Sequence, residues 1–268
     1  MRYNHHMTAM YSFPMTLSDG RVVYPCKPRM SNLRANITYR CDRGCPNCNR
    51  ACGVARSSVS EDMKLEQFQK VMTDSIATNR IWTKIVFTGG EPSMHPDLKE
   101  FCQAAVEYKE KVNPEVCNIW IATYHHPKFF PRVEEAIKAF PIVKIMGDPK
   151  VKPRIHNYAT YMAPCDEEKL PSDHYYRGCH LNASLCGCTV DYKGFYPCPV
   201  APAIARVFDL DFAASNLANA SVEALVSQYD VACRLCGYYT GRKAGDASEP
   251  KSGSWEKALK EYENRKKS

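Results

Sequence analysis

The sequence predicts an α/β fold, a parallel sheet wound with helices, followed by a small cysteine-rich domain. Two observations lead there. Short apolar runs alternate with helical patterns from residue 35 to about 150, and seven of the 14 cysteines crowd into residues 165–238. Hydrophobic residues make up 44% of the 268-residue chain and charged residues 24%. That is ordinary globular usage, so wholesale disorder and a fibrous repeat are excluded.

Taken in order, residues 1–34 form an irregular extension broken by Pro14, Pro25 and Pro28. Alternating Ala35, Ile37 and Tyr39 predict a strand that runs into a cysteine-rich loop, 41–52. Ser58-Val59-Ser60-Glu61 reads as a capping box opening a helix whose apolar face is Leu65, Phe68, Met72 and Ile76. Lys84 to Thr88 is a buried strand leading directly into Gly89-Gly90-Glu91-Pro92. A helix follows from Asp97 to Lys111, then a strand from Asn118 to Thr123. Val133 to Phe140 reads as helix, Ile142 to Met146 as strand, and 155–162 as a further, weaker strand. After Pro164 the pattern changes. Tyr192-Lys193-Gly194 is a hairpin turn between Thr189-Val190 and Phe195-Tyr196, and Ser221 to Tyr229 is a short helix. Residues 241–254 form a polar linker, and Trp255, Leu259 and Tyr262 give the last helix an apolar stripe that docks on the core. The expected divisions are therefore 1–34, 35–164, 165–240 and 241–268.

No apolar run approaches the roughly 18 residues of a membrane span, and the first residues lack a signal-like apolar stretch. The expectation is a cytoplasmic protein, whose thiols a reducing compartment keeps open. Metal binding is then the leading use for so many cysteines. The net charge is +7, and residues from Arg242 onward, with eight Lys/Arg against five Asp/Glu, supply +3 of it. The remainder is too dilute for a nucleic-acid footprint.

Cys41, Cys45 and Cys48 place three thiolates within eight residues on a loop at the end of the first strand. A loop can wrap such closely spaced ligands around a compact centre, and thiolates suit iron–sulfur clusters and zinc. Spacing alone leaves open a zinc site completed by Cys52 or a histidine. Together with Gly89-Gly90-Glu91-Pro92 at the end of the next strand, the Cx3Cx2C motif resembles the radical S-adenosylmethionine (SAM) superfamily. One position departs from the family pattern: Asn47 stands before the third cysteine, where an aromatic residue is usual.

The resemblance covers roughly residues 35–240. It implies a partial (β/α)6 barrel and a [4Fe–4S] cluster on Cys41, Cys45 and Cys48 whose open iron chelates SAM. Gly89, Gly90, Glu91 and Pro92 would lie along the methionyl end of SAM, and Thr123 would contact its ribose. Reductive cleavage would yield a 5′-deoxyadenosyl radical that abstracts a substrate hydrogen. An external flavodoxin- or ferredoxin-type reductant is implied.

Cys179, the turn at Gly194, Cys198 and the late Cys233-x2-Cys236 resemble the auxiliary-cluster appendages called twitch and SPASM domains. Too few cysteines remain downstream for two extra clusters, so the single-cluster twitch form fits better. The preferred ligands of a second [4Fe–4S] cluster are Cys179, Cys198, Cys233 and Cys236, with Cys186 as the competitor; structural zinc on the same residues stays open. Cys52, His125 and Cys186 are candidates for contact with substrate. The resemblance implies a small-molecule, sugar- or nucleotide-like substrate, because only about 34 residues precede the first strand and no leader-gripping domain is evident. A peptide-modifying maturase, an RNA-modifying relative and a non-catalytic zinc module are the alternatives.

Overall fold

The computed structural model describes residues 15–16, 22–23, 28–112, 114–115, 117–147, 159–167, 179, 187–240 and 251–267. A two-stranded antiparallel ladder, β1 (Met15–Thr16) and β2 (Val22–Val23), precedes the main sheet. The sheet then builds from β3 (Asn32–Thr38), α1 (Leu65–Ala77), β4 (Lys84–Gly89), α2 (Leu98–Val112), β5 (Asn118–Ala122), α3 (Phe130–Ala139) and β6 (Val143–Met146). A hairpin, β7 (Cys188–Val190) and β8 (Phe195–Tyr196), follows. The strand order is β6-β5-β4-β3-β7-β8, parallel throughout except for the β7–β8 pair. The strands of the cysteine-rich segment thus extend the main sheet beside β3.

Alternate strand residues project to opposite faces, and the main core follows from that parity. Leu33, Ala35, Ile37, Ile85, Phe87, Ile119, Ile121 and Val143 project to one face and pack against Phe68, Met72, Phe101 and Val133 of α1–α3. Phe68, Phe87 and Phe101 meet edge-on or tilted, with ring centroids 5.2–6.1 Å apart. Cys102, Cys117 and Cys188 are buried in this core as small apolar side chains.

Beyond the hairpin come α4 (Ala201–Val207), α5 (Val222–Ser227), α6 (Tyr229–Ala232), α7 (Gly237–Thr240) and α8 (Gly253–Arg265). They form a second core in which Tyr161, Tyr196, Ile204 and Trp255 pack with Ala51 and Ala55 of the first cysteine loop. The docking expected of the last helix is seen: Trp255, Leu259 and Tyr262 are buried, and the Trp255 indole N–H donates to the carbonyl of Leu235 at 2.8 Å.

Two local expectations are corrected. The Ser58–Glu61 segment makes a short 3-10 turn, Val59–Glu61, and α1 begins at Leu65. Met63 intervenes: its N–H reaches the Ile37 carbonyl of β3 at 2.9 Å and its side chain is buried, so the chain must drop to the sheet before the helix can start. The α1 terminus is capped by Gln67, whose Oε1 accepts from the Lys64 N–H at 2.9 Å. The weak strand at 155–162 lies outside the described residues up to 158, and Ala159–Met162 closes a turn through Met162 N–H to the Ala159 carbonyl. Cys26 and Cys186 also lie outside the described residues.

Asp191 ties the hairpin to the sheet. Its Oδ1 accepts from the N–H groups of Lys193 and Gly194, and its Oδ2 from the Tyr39 hydroxyl at 2.8 Å. Burial pushes the carboxyl up to about 6, and these hydrogen bonds only partly offset it. The unfolded chain therefore loses this proton first, near pH 4, while the folded chain holds it to about 6. Stability is full below pH 4 and falls as pH rises through 6. From a difference of roughly two pKa units, Asp191→Asn should remove a loss of about 3 kcal/mol between pH 4 and 7. Urea midpoints across that range check this, and parallel curves for the two proteins would refute it.

Candidate functional site

The site forms where β3, β4 and β5 end. The chain leaves β3 through Thr38, Tyr39 and Arg40 and enters the loop of Cys41, Cys45 and Cys48, all three half-buried free thiols. Positive φ angles at Gly44 (61°) and Asn47 (53°) turn this loop back on itself. The Asn47 carbonyl accepts from the Thr160 hydroxyl at 2.8 Å, and the Cys48 carbonyl from the Tyr161 hydroxyl at 2.9 Å.

Gly89 and Gly90 lock β4 against the segment leading to Cys41. The Gly90 N–H donates to the Thr38 carbonyl at 2.6 Å, and the Glu91 N–H to the Arg40 carbonyl at 2.8 Å. A β-carbon at Gly89 would stand 2.1 Å from the Thr38 carbonyl oxygen, and one at Gly90 2.2 Å from that of Arg40. Both glycines are therefore required by close approach to protein backbone. The neighbouring atoms are main chain and cannot swing away. We expect Gly90→Ala to cost about 1–3 kcal/mol of stability, measured by urea unfolding. An unchanged midpoint would mean that the β3 exit yields freely.

Glu91 is buried and fully engaged. Its Oε1 accepts from the Ser93 N–H (3.1 Å) and the Thr123 hydroxyl (2.6 Å), and its Oε2 from the Tyr124 N–H (2.9 Å). The carboxylate joins the ends of β4 and β5, with Pro92 opening a 3-10 turn beside it. Thr123 meets Glu91 through that hydroxyl, which also accepts from the His125 N–H at 2.9 Å.

The β5 exit clasps the cysteine loop from the other side. Asp42 accepts from His126 Nε2 at 2.9 Å and from the Tyr124 hydroxyl, and the Arg43 guanidinium lies 5.0 Å over the Tyr124 ring. His125, at φ 62°, stacks its ring on Phe130, with centroids 4.3 Å apart. It thus packs against the start of α3, and its Nε2 is buried without a hydrogen-bond partner. Cys52 is buried beside Cys48 and donates to it, which contributes most to lowering the Cys48 thiol to about 6.

Cys41 is pushed up to about 12, chiefly by burial, with Cys48, Glu91 and Cys45 adding negative charge around it. A cationic centre would relieve that crowding of anionic donors, so this donor set fits a thiolate-ligated metal group.

The second set of cysteines also converges. Cys179, Cys198, Cys233 and Cys236 line one apolar cavity with Val200, Ile204, Tyr229 and Tyr238. Burial raises the Cys198 thiol, and the nearby Cys236 and Cys179 raise it further. The Ala201 N–H at the start of α4 donates to Cys198 Sγ at 3.4 Å. Among the described residues, no three His, Cys, Asp or Glu side chains lie close enough to grip one metal ion. A four-iron cluster has an iron under each thiolate and spaces its ligands more widely.

Sequence reasoning missed the joint between the two cysteine sets. Gly237, next to Cys236, packs so tightly on Ala159 that a β-carbon would stand 1.6 Å from the Ala159 carbonyl oxygen. Its N–H donates to the Thr160 carbonyl at 3.2 Å. Thr160, whose hydroxyl holds the Asn47 carbonyl of the first loop, therefore also seats Gly237 beside the Cys233–Cys236 turn. Arg206 was missed as well. Its buried guanidinium donates to the carbonyls of Ala55 (3.0 Å) and Arg50 (3.1 Å) and to the Tyr262 hydroxyl (2.7 Å). No sequence signal distinguishes it from the chain's other arginines.

Comparison with known proteins adds the following. No family model matches the chain. An 81-residue stretch, 30% of the chain, is 30% identical to the PqqA peptide cyclase of Granulibacter bethesdensis. The match spans 21% of that relative's length. Among solved structures, the chain is similar to BtrN in complex with AdoMet and 2-DOIA, at 10% identity and a TM-score of 0.45. That match covers 84% of this chain and 97% of the other. BtrN in an open conformation gives 14% identity and a TM-score of 0.44, covering 82% and 91%.

Proposed function

We infer that this chain is a radical SAM enzyme, acting on a small molecule with the help of one auxiliary [4Fe–4S] cluster. The observation that carries the reading is the junction at the strand ends. The Cys41-x3-Cys45-x2-Cys48 loop leaves β3 where Gly89-Gly90-Glu91-Pro92 is hydrogen-bonded to Thr38 and Arg40. Cys41, Cys45 and Cys48 would hold the first cluster, leaving one of its irons for SAM. When bound, the reduced cluster supplies the electron that splits SAM into methionine and a 5′-deoxyadenosyl radical, which takes a hydrogen atom from the substrate.

The chain's own residues position and shield. Glu91, saturated by three donors, fixes the β4 and β5 ends as one rigid rim. Gly90 offers no side chain beside the β3 exit, so the rim and the cysteine loop stay in register. The Asp42–His126 contact holds the loop to the β5 exit. Asn47, where the family usually has an aromatic residue, is fully buried and contributes its backbone carbonyl to Thr160. Cys179, Cys198, Cys233 and Cys236 would hold the auxiliary cluster in their apolar cavity, with the Ala201 N–H directed at Cys198.

A second reading, a peptide substrate, is favoured by the sequence match to a peptide cyclase. Anaerobic reconstitution tests the common core. About eight irons per chain and reductant-dependent release of 5′-deoxyadenosine are expected. A colourless, zinc-only protein would defeat the reading, and about four irons would remove the auxiliary cluster from it.

A further inference from the structure

The sheet has a second face, opposite the one packed on α1–α3. Residues in register on paired strands project to the same side. One row therefore crosses all six strands: Tyr196, Thr189, Arg34, Val86, Trp120 and Lys144. The row towards the strand starts carries Asn32, Lys84 and Asn118. The row towards the strand ends carries Asn36 and Thr88. None of these strand residues is acidic, and three are cations.

The cations converge on one ring. The Lys84 ammonium stands 5.1 Å from the centre of the Trp120 indole and the Lys144 ammonium 5.6 Å. Lys84 is held below its usual pKa, by burial first and then by the nearby guanidiniums of Arg34 and Arg29. The exposed Lys144 and the half-buried Lys84 bring two ammonium groups to one accessible ring, where an anion gains from both at once. An aromatic ring attracts each ammonium but does not cancel the repulsion between them.

A second, independent observation concerns neutral donors. Trp120 Nε1, Thr189 Oγ1 and Tyr196 Oη are buried without a hydrogen-bond partner, and all three belong to the same cross-strand row. Thr189 and Tyr196 are fully buried. These unmatched groups lie beneath the face; what a ligand meets is the half-buried Trp120 ring with the half-buried Lys84 and the exposed Lys144 beside it. The location fits a substrate. Trp120 precedes Thr123 by three positions, roughly 10 Å along a strand, so a small molecule anchored over the indole extends towards the strand ends.

We propose that the substrate carries an oxyanion, carboxylate or phosphate, which seats between Lys84 and Lys144 over Trp120. This names the substrate class of the site under Proposed function and rests on that reading. Inorganic pyrophosphate and succinate serve as probes, titrated into the cluster-loaded protein by calorimetry. At least one should bind saturably, with affinity falling as salt rises. The Lys84→Gln/Lys144→Gln pair should weaken it at least about tenfold, and the Lys84→Arg/Lys144→Arg pair should retain it. Pyrophosphate binding alone identifies a phosphate, and succinate binding alone a carboxylate.

Tryptophan fluorescence of the unaltered protein gives a readout independent of any variant. Trp82 and Trp255 are fully buried, so a probe-induced change reports Trp120. No heat and no fluorescence change with either probe, or equal affinity in the glutamine pair, would overturn the proposal. Reductive SAM cleavage without substrate is the separate control. Cleavage without probe binding removes the anion site alone, whereas probe binding without cleavage removes the radical reading and leaves an anion-binding face.

Discussion

Cys45→Ser lowers the iron content of the reconstituted protein from about eight to about four per chain and abolishes SAM cleavage. Cys45 is one of three thiolates offered by a loop that the fold clamps on both sides. A hydroxyl is a poor replacement for a soft thiolate, and the other two cysteines cannot hold a four-iron cluster with a single open corner. The contrast is Cys233→Ser, which should also lose about four irons but keep substrate-independent cleavage of SAM. Cys233 faces the second cavity, beyond Tyr161 and Gly237. Iron and sulfide counts, with 5′-deoxyadenosine measured by chromatography, distinguish the two variants. Full cleavage by the Cys45 variant would remove the loop from the mechanism. Loss of cleavage in both would mean that the two sites act as one.

The second large effect is on stability. Arg206→Met should destabilise the protein by about 3–5 kcal/mol, the usual result of removing one partner from a buried ionic cluster. The guanidinium touches Ala55, Arg50, Tyr262 and Glu61, and lies 4.5 Å from the centre of the Tyr39 ring. Methionine preserves the length and apolar bulk but leaves two buried carbonyls without the guanidinium donor and the Glu61 charge with only the Tyr262 hydroxyl. At roughly 2–4 °C per kcal/mol, the melting temperature should fall by on the order of 10 °C. Adding Glu61→Gln to the variant should recover part of the loss, since the stranded charge is then gone. A change below about 1 kcal/mol would mean that α8 and the cysteine loop are held elsewhere.

Much of the fold was legible because buried parallel strands and amphipathic helices write their periods into the sequence. β4 and its Gly-Gly-Glu-Pro exit, and the hairpin at Gly194, lie where the residues placed them. The start of α1 was not legible. Ser58 and Glu61 carry a good local capping signal, but Met63 is drawn to Ile37 and Glu61 to Arg206 and Tyr262. Tertiary contacts, worth more than a cap, moved the helix start to Leu65. The glycines of the Gly-Gly-Glu-Pro segment were legible as a motif, but their packing on the β3 exit was not. Their close approach to the main chain of Thr38 and Arg40 is set by strand register, which the motif does not display.

The sequence by itself determined the α/β class, the first cysteine triad, its partner motif and the family they resemble. These depend on residue type and short spacing, which a chain displays without folding. Only the tertiary structure decided that Cys179, Cys198, Cys233 and Cys236 share one cavity and that Thr160 and Tyr161 join it to the Cys48 loop. It also decided that Lys84 and Lys144 meet over Trp120. Those juxtapositions bring together residues from separate strands and turns. They are set by strand register and by the packing of the second core against the first cysteine loop, which no local pattern encodes.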